Sequence, residues 1–400
     1  MKLTNDGPEA AHLQTRTELQ MRSPMQTPMQ TPIQTRLQTP MRSQMNLHAP
    51  PRTRRQWLRT SLGLGVALVG AGAGVGAGAG APSASAPAGP LVWRERALLG
   101  FGTTLWLRAA HRDPDTVERA LDAAVAAIRH VEAQMSLFDP ASAVSRLNRD
   151  GELRAADGDL LRVLRLAQQV SARSGGTFDV TVQPLWQAWD GARLAGRMPS
   201  APALAKALGL VGWRGLEVDA DHVRLRRPGM ALTLNGIAQG YAADLARERL
   251  RAHGIEHALL DTGEWAPLGR APGDLPWTLA VADPRAAAES TASEAAHAVA
   301  ALCAEGRSVA TSSDAHTTFT ADRRHHHIFD PRIGESPTQL ASVTVVAPSC
   351  ALADALTKVL FMGGIKEALA LARHWGVDVL AIDKSGRWQA SPGLRLTELA

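Results

Sequence analysis

From Asp113 onward, apolar residues return every three or four positions: Val117, Leu121, Val125, Ile128, Val131 and Met135. This spacing predicts a helix with one apolar stripe, and Asp113-Pro114 supplies its N-cap and first-turn proline. A second helix is predicted over 160–174, stopped by Gly175-Gly176. The alternation in "LEVDADHVRLRR" around Asp219–Asp221 predicts a hairpin. "ALTLNG" reads as a strand that turns at Asn235-Gly236 into a helix over 237–253, closed by Gly254. "HALLDTG" is the next strand. "LASVTVVAP", β-branched and apolar in pattern, is a buried strand leading into a helix over 352–362. Helices and strands mix without a strict βαβ rhythm, so the pattern predicts an α+β fold. The sequence has no Rossmann fingerprint and no P-loop, so any nucleotide is held in another way.

Upstream of this pattern the chain changes character. Residues 21–45, "MRSPMQTPMQTPIQTRLQTPMRSQM", form a polar Gln/Thr/Pro repeat that cannot bury enough apolar surface to order itself. Arg54-Arg55 then precede Gln56-Trp57-Leu58-Arg59 and a Gly/Ala-rich, weakly apolar run, the pattern of a twin-arginine export signal. Residues 61–81 are long enough to span a bilayer, but their glycines make a poor membrane helix. The small residues at Ala86-Pro87-Ala88 offer a cleavage point, and cleavage is expected there rather than retention as an anchor. Met45 would be a more usual start for such a signal. The expected organisation is a leader with a signal peptide over 1–88 and one domain over 89–400, exported to the periplasm.

Composition sharpens this picture. Of 400 residues, 45% are apolar and 20% charged, as in ordinary globular proteins, but only 4% are aromatic, so Ala, Leu and Val must build the core. The net charge of +5 comes from the leader: residues 1–88 hold nine of the 43 Lys/Arg and three of the 38 Asp/Glu, which leaves −1 for the rest. The high isoelectric point therefore implies no nucleic-acid surface. Two cysteines, Cys303 and Cys350, are too few for a disulfide framework, though spacing leaves one bridge open.

The most conspicuous chemistry is "HHHIFDPRIGES" at 325–336. Adjacent residues face different ways in a helix or a strand, so three consecutive histidines do not easily close on one metal. Asp330-Pro331-Arg332-Ile333-Gly334 is a turn signature. A histidine held in front of such a turn is a candidate proton handler, and the alternative is a solvated run.

Four stretches, in order, resemble the FAD:protein FMN transferase (ApbE) family. They are "MSLFDPASAVSRLNRDG" at 135–151, "SGGTFDVTVQPLWQAWD" at 174–190, "LTLNGIAQGYAAD" at 232–244, and a C-terminal group. That group runs from "SVATSSD" through "HHHIFDPRIG" to "VTVVAPSCALADALTK". The resemblance covers nearly all of residues 98–375. It implies mixed sheets with packed helices and a flavin cleft between subdomains. It also implies an enzyme that breaks the diphosphate of FAD, joins FMN through its phosphate to a threonine of an acceptor protein, and releases AMP with Mg²⁺ as cofactor. The usual acceptors are membrane or periplasmic redox subunits. Such chemistry requires neutralised phosphate charge and a positioned hydroxyl more than covalent help from the protein.

The resemblance also assigns residues. Asp354 is the carboxylate on the metal and the turn at Gly236 supplies a backbone carbonyl, a hard oxygen set suited to Mg²⁺. Phe101, Phe138, Thr177, Phe178 and Asp179 fall at flavin-lining or flavin-contact positions, although Phe101, Phe138 and Phe178 could equally be core and Asp179 a solvated acid. Thr233 and Gln239 flank the metal turn, and Thr233 stands where many members have aspartate. Tyr241 can simply pack its helix. His327, in H-x-x-D-P with Asp330, is implied as the acid/base or phosphate-orienting group, a role its ordinary pKa allows. His325 and His326 are expected to be exposed. One departure concerns the metal: the family pattern is Asp-x-x-x-Thr, whereas here Thr357 comes one place early and Lys358 takes the fourth position. Both lie near Asp354 on a helix, so either Thr357 reaches the metal or Lys358 meets the charge instead. Rival readings are an FAD pyrophosphatase and a non-catalytic flavin-binding maturation factor.

Overall fold

The computed structural model describes residues 89–286, 297–315 and 317–397. The expected leader and twin-arginine segment, 1–88, lie outside the described residues. Among those described, no helix is long and apolar enough to cross a membrane.

The chain opens with a hairpin, β1 (Val92–Gly100) and β2 (Thr103–His111), joined by the two-residue turn Phe101-Gly102. Both turn residues have positive φ, 50° and 81°, which suits the tight turns that follow strand twist. The expected long helix follows as α1 (Pro114–Met135), with the Asp113 carboxylate accepting from the Asp115 and Thr116 amides. Its buried face takes in Ala120, Ala124 and Ala127 beside the larger side chains, while Val125 is only half-buried. Next come α2 (Ala143–Asp150), β3 (Glu152–Leu153), α3 (Gly158–Arg173), α4 (Gln183–Leu194) and α5 (Ala201–Leu208). The predicted hairpin is β4 (Leu216–Val218) with β5 (Val223–Leu225). Then follow α6 (Ala238–Ala252), β6 (His257–Asp261), β7 (Trp265–Leu268), β8 (Thr278–Ala282), β9 (Ala298–Cys303) and β10 (Ser308–Ser313). The chain closes with β11 (Leu340–Ala347), α7 (Cys350–Phe361), α8 (Ile365–Trp375), β12 (Asp378–Asp383), β13 (Trp388–Ala390) and β14 (Leu396–Thr397).

Eight strands form one antiparallel sheet in the order β1-β2-β6-β7-β10-β11-β12-β13. On one face α7 lies against β10 and β11, α6 against α7, and α1 against α6. On the other face, Leu259, Val309, Val346, Leu380 and Ile382 pack against Trp277, Leu279, Val281, Ala300 and Leu302 of the small sheet β14-β9-β8. Strand β11 is therefore covered on both sides, and all eight of its residues are buried. This is why its sequence is a continuous apolar run rather than an alternation. Layers of helices and sheets in this arrangement make an α+β fold, as the pattern implied.

One predicted element does not form. Residues 231–234 are not a strand. The Asn148 side chain holds the Leu232 backbone instead, donating from Nδ2 to its carbonyl at 2.8 Å and accepting from its N–H at 2.6 Å. Thr233 N–H donates to the Val180 carbonyl at 2.8 Å. With those groups satisfied outside a ladder, the extended pattern has no strand partner. Cys303 and Cys350 are both buried and unpaired.

Candidate functional site

Helices α6 and α7 approach so closely that a Cβ on Gly240 would lie 2.4 Å from the Cys350 carbonyl oxygen. Only glycine fits at that crossing. Asp244, one turn further along α6, then caps α7: its Oδ1 accepts from Cys350 N–H at 2.9 Å and its Oδ2 from Ala351 N–H at 3.0 Å. Arg247 bonds the same carboxylate at 2.8 Å and reaches Ser308 Oγ at 3.0 Å and the Pro348 carbonyl at 3.0 Å. A charged cap of this kind satisfies N–H groups that have no partner within the helix. It fixes α7 against α6 and so places Asp354.

Asp354 is 1% exposed. Its Oδ1 accepts from Lys358 Nζ at 2.5 Å and its Oδ2 from Gly240 N–H at 3.3 Å. Lys358 Nζ also bonds the Asp354 carbonyl at 3.2 Å. The Thr357 hydroxyl donates to that same carbonyl at 2.6 Å and lies 2.7 Å from Ser312 Oγ of β10. The Lys358 stem runs beside Gly236, where an added Cβ would lie 3.0 Å from Lys358 Cε. Thus Gly236, Asp354, Thr357 and Lys358 do converge. As they stand, however, their donors do not fit a divalent ion. The ammonium holds the carboxylate oxygen that a metal would need, and Thr357 is engaged by its own helix and by Ser312.

A second buried acid borders this group. Glu264, 6% exposed, follows the β6–β7 turn and accepts from Thr311 N–H at 3.0 Å. Burial pushes its carboxyl well above the usual range, and the Asp354 charge adds to that, partly offset by Lys358. Gln239 ties the same turn to α6: its Nε2 donates to the Thr262 carbonyl at 2.9 Å, and Thr262 Oγ1 donates to the Gln239 carbonyl at 2.9 Å. Gly263 (φ 94°) is required here, because a Cβ would collide with the Gln239 amide.

The other predicted residues lie at different depths in the fold. Phe178 is buried in the main core. Asp179 is also buried rather than solvated, and it works as a clamp. Its Oδ1 accepts from the Thr181 amide and hydroxyl at 2.8 and 2.7 Å, and its Oδ2 from Trp213 N–H at 2.7 Å. Burial raises its pKa, and those three bonds offset part of the rise. Thr233 accepts from Asn235 N–H through Oγ1 at 3.3 Å, shaping the turn before α6. Phe138 lies against the β1–β2 turn that carries Phe101, where a Cβ on Gly102 would touch its ring at 3.2 Å; Phe138 is 59% exposed. Thr177 lines a cavity of about 510 Å³ that also borders Arg332, Val359 and Met362. The segment around Thr177, the turn after Asp330 and the flank of α7 therefore share one concave surface.

The three histidines behave differently from one another. His326 is fully buried, not exposed as expected. Its backbone N–H donates to Ser336 Oγ at 2.9 Å, its Nε2 lies 3.0 Å from the Pro337 carbonyl, and its ring meets Phe361 edge-on at 5.8 Å. Burial pushes its pKa down to about 4. His325 is not a solvated side chain either: it stacks on Trp189 of α4 with ring centres 4.5 Å apart. His327 Nδ1 lies 3.1 Å from the Thr317 carbonyl, so that nitrogen carries the proton and Nε2 is the acceptor in the neutral ring. Asp330 pairs with Arg332 through two contacts of 2.8 and 2.6 Å. Burial would raise the Asp330 pKa, but the guanidinium outweighs it and keeps the carboxyl ionised. The run packs through His326 on the last turn of α7, seven residues from Asp354, or about 10 Å along the helix.

Asn148, Asp244, Arg247, Glu264 and Ser312 were missed in the sequence. Asn148 and Asp244 lie inside the quoted motifs, but nothing local marks them as partners of segments some 84 and 106 residues away. Among the described residues, His130, Asp157 and Asp159 gather closely enough to suggest a metal. Asp159 Oδ1 there already accepts from Tyr241 OH at 2.5 Å and Arg162 Nη1 at 2.6 Å, so the group is a polar tie between α3 and α6.

An antiparallel eight-stranded sheet bearing α6 and α7, whose N-terminal turns enclose a buried acid, defines a class with known relatives. The model of the ApbE family matches residues 101–381. A protein of Treponema pallidum named FAD:protein FMN transferase is 30% identical over 321 residues, covering 75% of this chain and 87% of the relative. The solved Pseudomonas stutzeri flavinyl transferase ApbE, apo form, is 28% identical with a TM-score of 0.63, covering 77% of this chain and 96% of that one. The Thermotoga maritima ApbE protein, at 24% identity, matches in fold with a TM-score of 0.67 over 75% of this chain and 97% of its own. The chain belongs to the ApbE family.

Proposed function

We propose that this chain is an FAD:protein FMN transferase acting on a threonine of an acceptor protein. In that reaction the acceptor oxygen bonds to the flavin-side phosphorus, the P–O bond to the AMP half breaks, and AMP leaves with the bridging oxygen. The hydroxyl proton passes to a base, the role we assign to His327 Nε2. The observation that carries the reading is the family match over 101–381, which spans every element lining the Asp354 centre. The sequence reading adds Mg²⁺ on Asp354, Thr357 and the Gly236 carbonyl. Since these residues do not fit the ion as they stand, no step is routed through a metal.

We place the reaction in the periplasm, after twin-arginine export, with a membrane or periplasmic redox subunit as acceptor. The support is the Arg54-Arg55 pattern in the leader. A second reading, a flavin-binding maturation factor without turnover, draws on Lys358 holding the Asp354 carboxylate. Incubation with FAD and a threonine-bearing acceptor, with AMP and protein-bound flavin both quantified, separates the readings. Equal amounts of AMP and covalent flavin are expected. AMP with free FMN would make the protein a pyrophosphatase, and bound FAD without AMP would make it a carrier.

A further inference from the structure

We propose that the Lys358 ammonium is the resident cation of this site, a fixed positive charge that faces the substrate diphosphate and removes the need for a divalent ion on Asp354. The inference rests on the transferase reading for its substrate.

Three observations on the pair itself carry it. First, the two ends of the ion pair are unequally accessible: the Asp354 side chain is 1% exposed and that of Lys358 is 20% exposed. An ion pair on a helix surface exposes both ends, whereas this one buries the anion and leaves the lysine side chain partly accessible. Second, the ammonium is held in place. It donates to Asp354 Oδ1 and to the Asp354 carbonyl, and Gly236 packs on its stem. An ammonium has three donors, so one remains for an incoming oxygen anion. Third, Thr357 is withdrawn from ligand duty by its bonds to the Asp354 carbonyl and Ser312. A metal at Asp354 would have to expel a positive charge from a buried carboxylate and recruit a hydroxyl already engaged elsewhere. Lysine is an established phosphate binder, acting as a point charge. A fixed cation aimed at charge developing on phosphate oxygens is the form of stabilisation phosphoryl transfer uses most. The bond changes are those of the transfer itself, and Lys358 gains and loses no proton in them.

The test has a binding arm and a turnover arm. In the binding arm, Mn²⁺ is titrated without substrate into the wild type and Lys358→Thr, followed by electron paramagnetic resonance. The wild type should bind Mn²⁺ no tighter than about 1 mM, and Lys358→Thr at least about tenfold tighter. Tight wild-type binding that Lys358→Thr leaves unchanged would overturn the proposal. In the turnover arm, AMP release from FAD is measured in chelator and in Mg²⁺. Equal wild-type rates in both are expected, with a loss of at least about 10²-fold in folded Lys358→Met. A wild-type rate abolished by chelator would overturn the proposal while leaving the transferase reading intact. If no condition releases AMP, the transferase reading fails, and the Mn²⁺ titration alone decides whether Lys358 fills the cation position.

Discussion

Lys358 Nζ lies 2.5 Å from Asp354 Oδ1, one helical turn away, and the carboxylate beneath it is 1% exposed. Removing one partner of a buried pair leaves an uncompensated charge, which costs far more than the pair itself contributes. Lys358→Met should therefore destabilise the protein by about 3–5 kcal/mol. Asp354→Asn should cost less, because the freed ammonium can turn to solvent. In the double variant most of the Lys358→Met loss should disappear. Urea unfolding of the four proteins measures the coupling, and additive losses would mean that the pair does not neutralise Asp354.

His326 gives stability a specific pH dependence. Its pKa is pushed down to about 4 in the folded chain, against 6.5 when unfolded. Between those values the unfolded state binds more protons, so stability rises with pH. The neutral ring's full contribution is present above about pH 6.5 and is lost as pH falls toward 4, by about 3 kcal/mol from this group. In His326→Gln, which cannot charge, the slope over that window should be shallower. Unfolding free energies at about pH 4.5, 5.5 and 6.5 check this; parallel curves for the two proteins would contradict it.

The three histidines should separate in kinetics as they do in packing. His327→Ala is expected to lose about 10²–10⁴-fold in transfer while melting near the wild type. His326→Ala should lose stability, since it empties a buried position against Phe361 and unpairs the Pro337 carbonyl. His325→Ala should lose about 1 kcal/mol with its stack on Trp189 and keep its turnover. Steady-state rates and melting temperatures on the same preparations test this, and comparable kinetic losses at all three positions would refute the assignment.

What the sequence showed and what it hid follow from the range of the interactions. The helix over Pro114–Met135 was legible because its cap and apolar stripe are local. Strand β11 was legible because burial on both faces leaves a continuous run. The strand expected at 231–234 was not there because Asn148, far away in sequence, took its backbone hydrogen bonds. The departure at Thr357 and Lys358 could be seen in the sequence, but its outcome could not. That outcome depends on Ser312 drawing the hydroxyl away and on Gly236 admitting the lysine stem. Glu264 gave no signal, because nothing local distinguishes a buried glutamate from a solvated one.

The most direct test of the transferase account is the mass of a denatured acceptor protein after incubation with this chain and FAD. The account predicts one FMN added per target threonine, a linkage that survives denaturation, and no addition when that threonine is replaced by alanine. An acceptor of unchanged mass, in a reaction where FAD is nevertheless bound or cleaved, would contradict it.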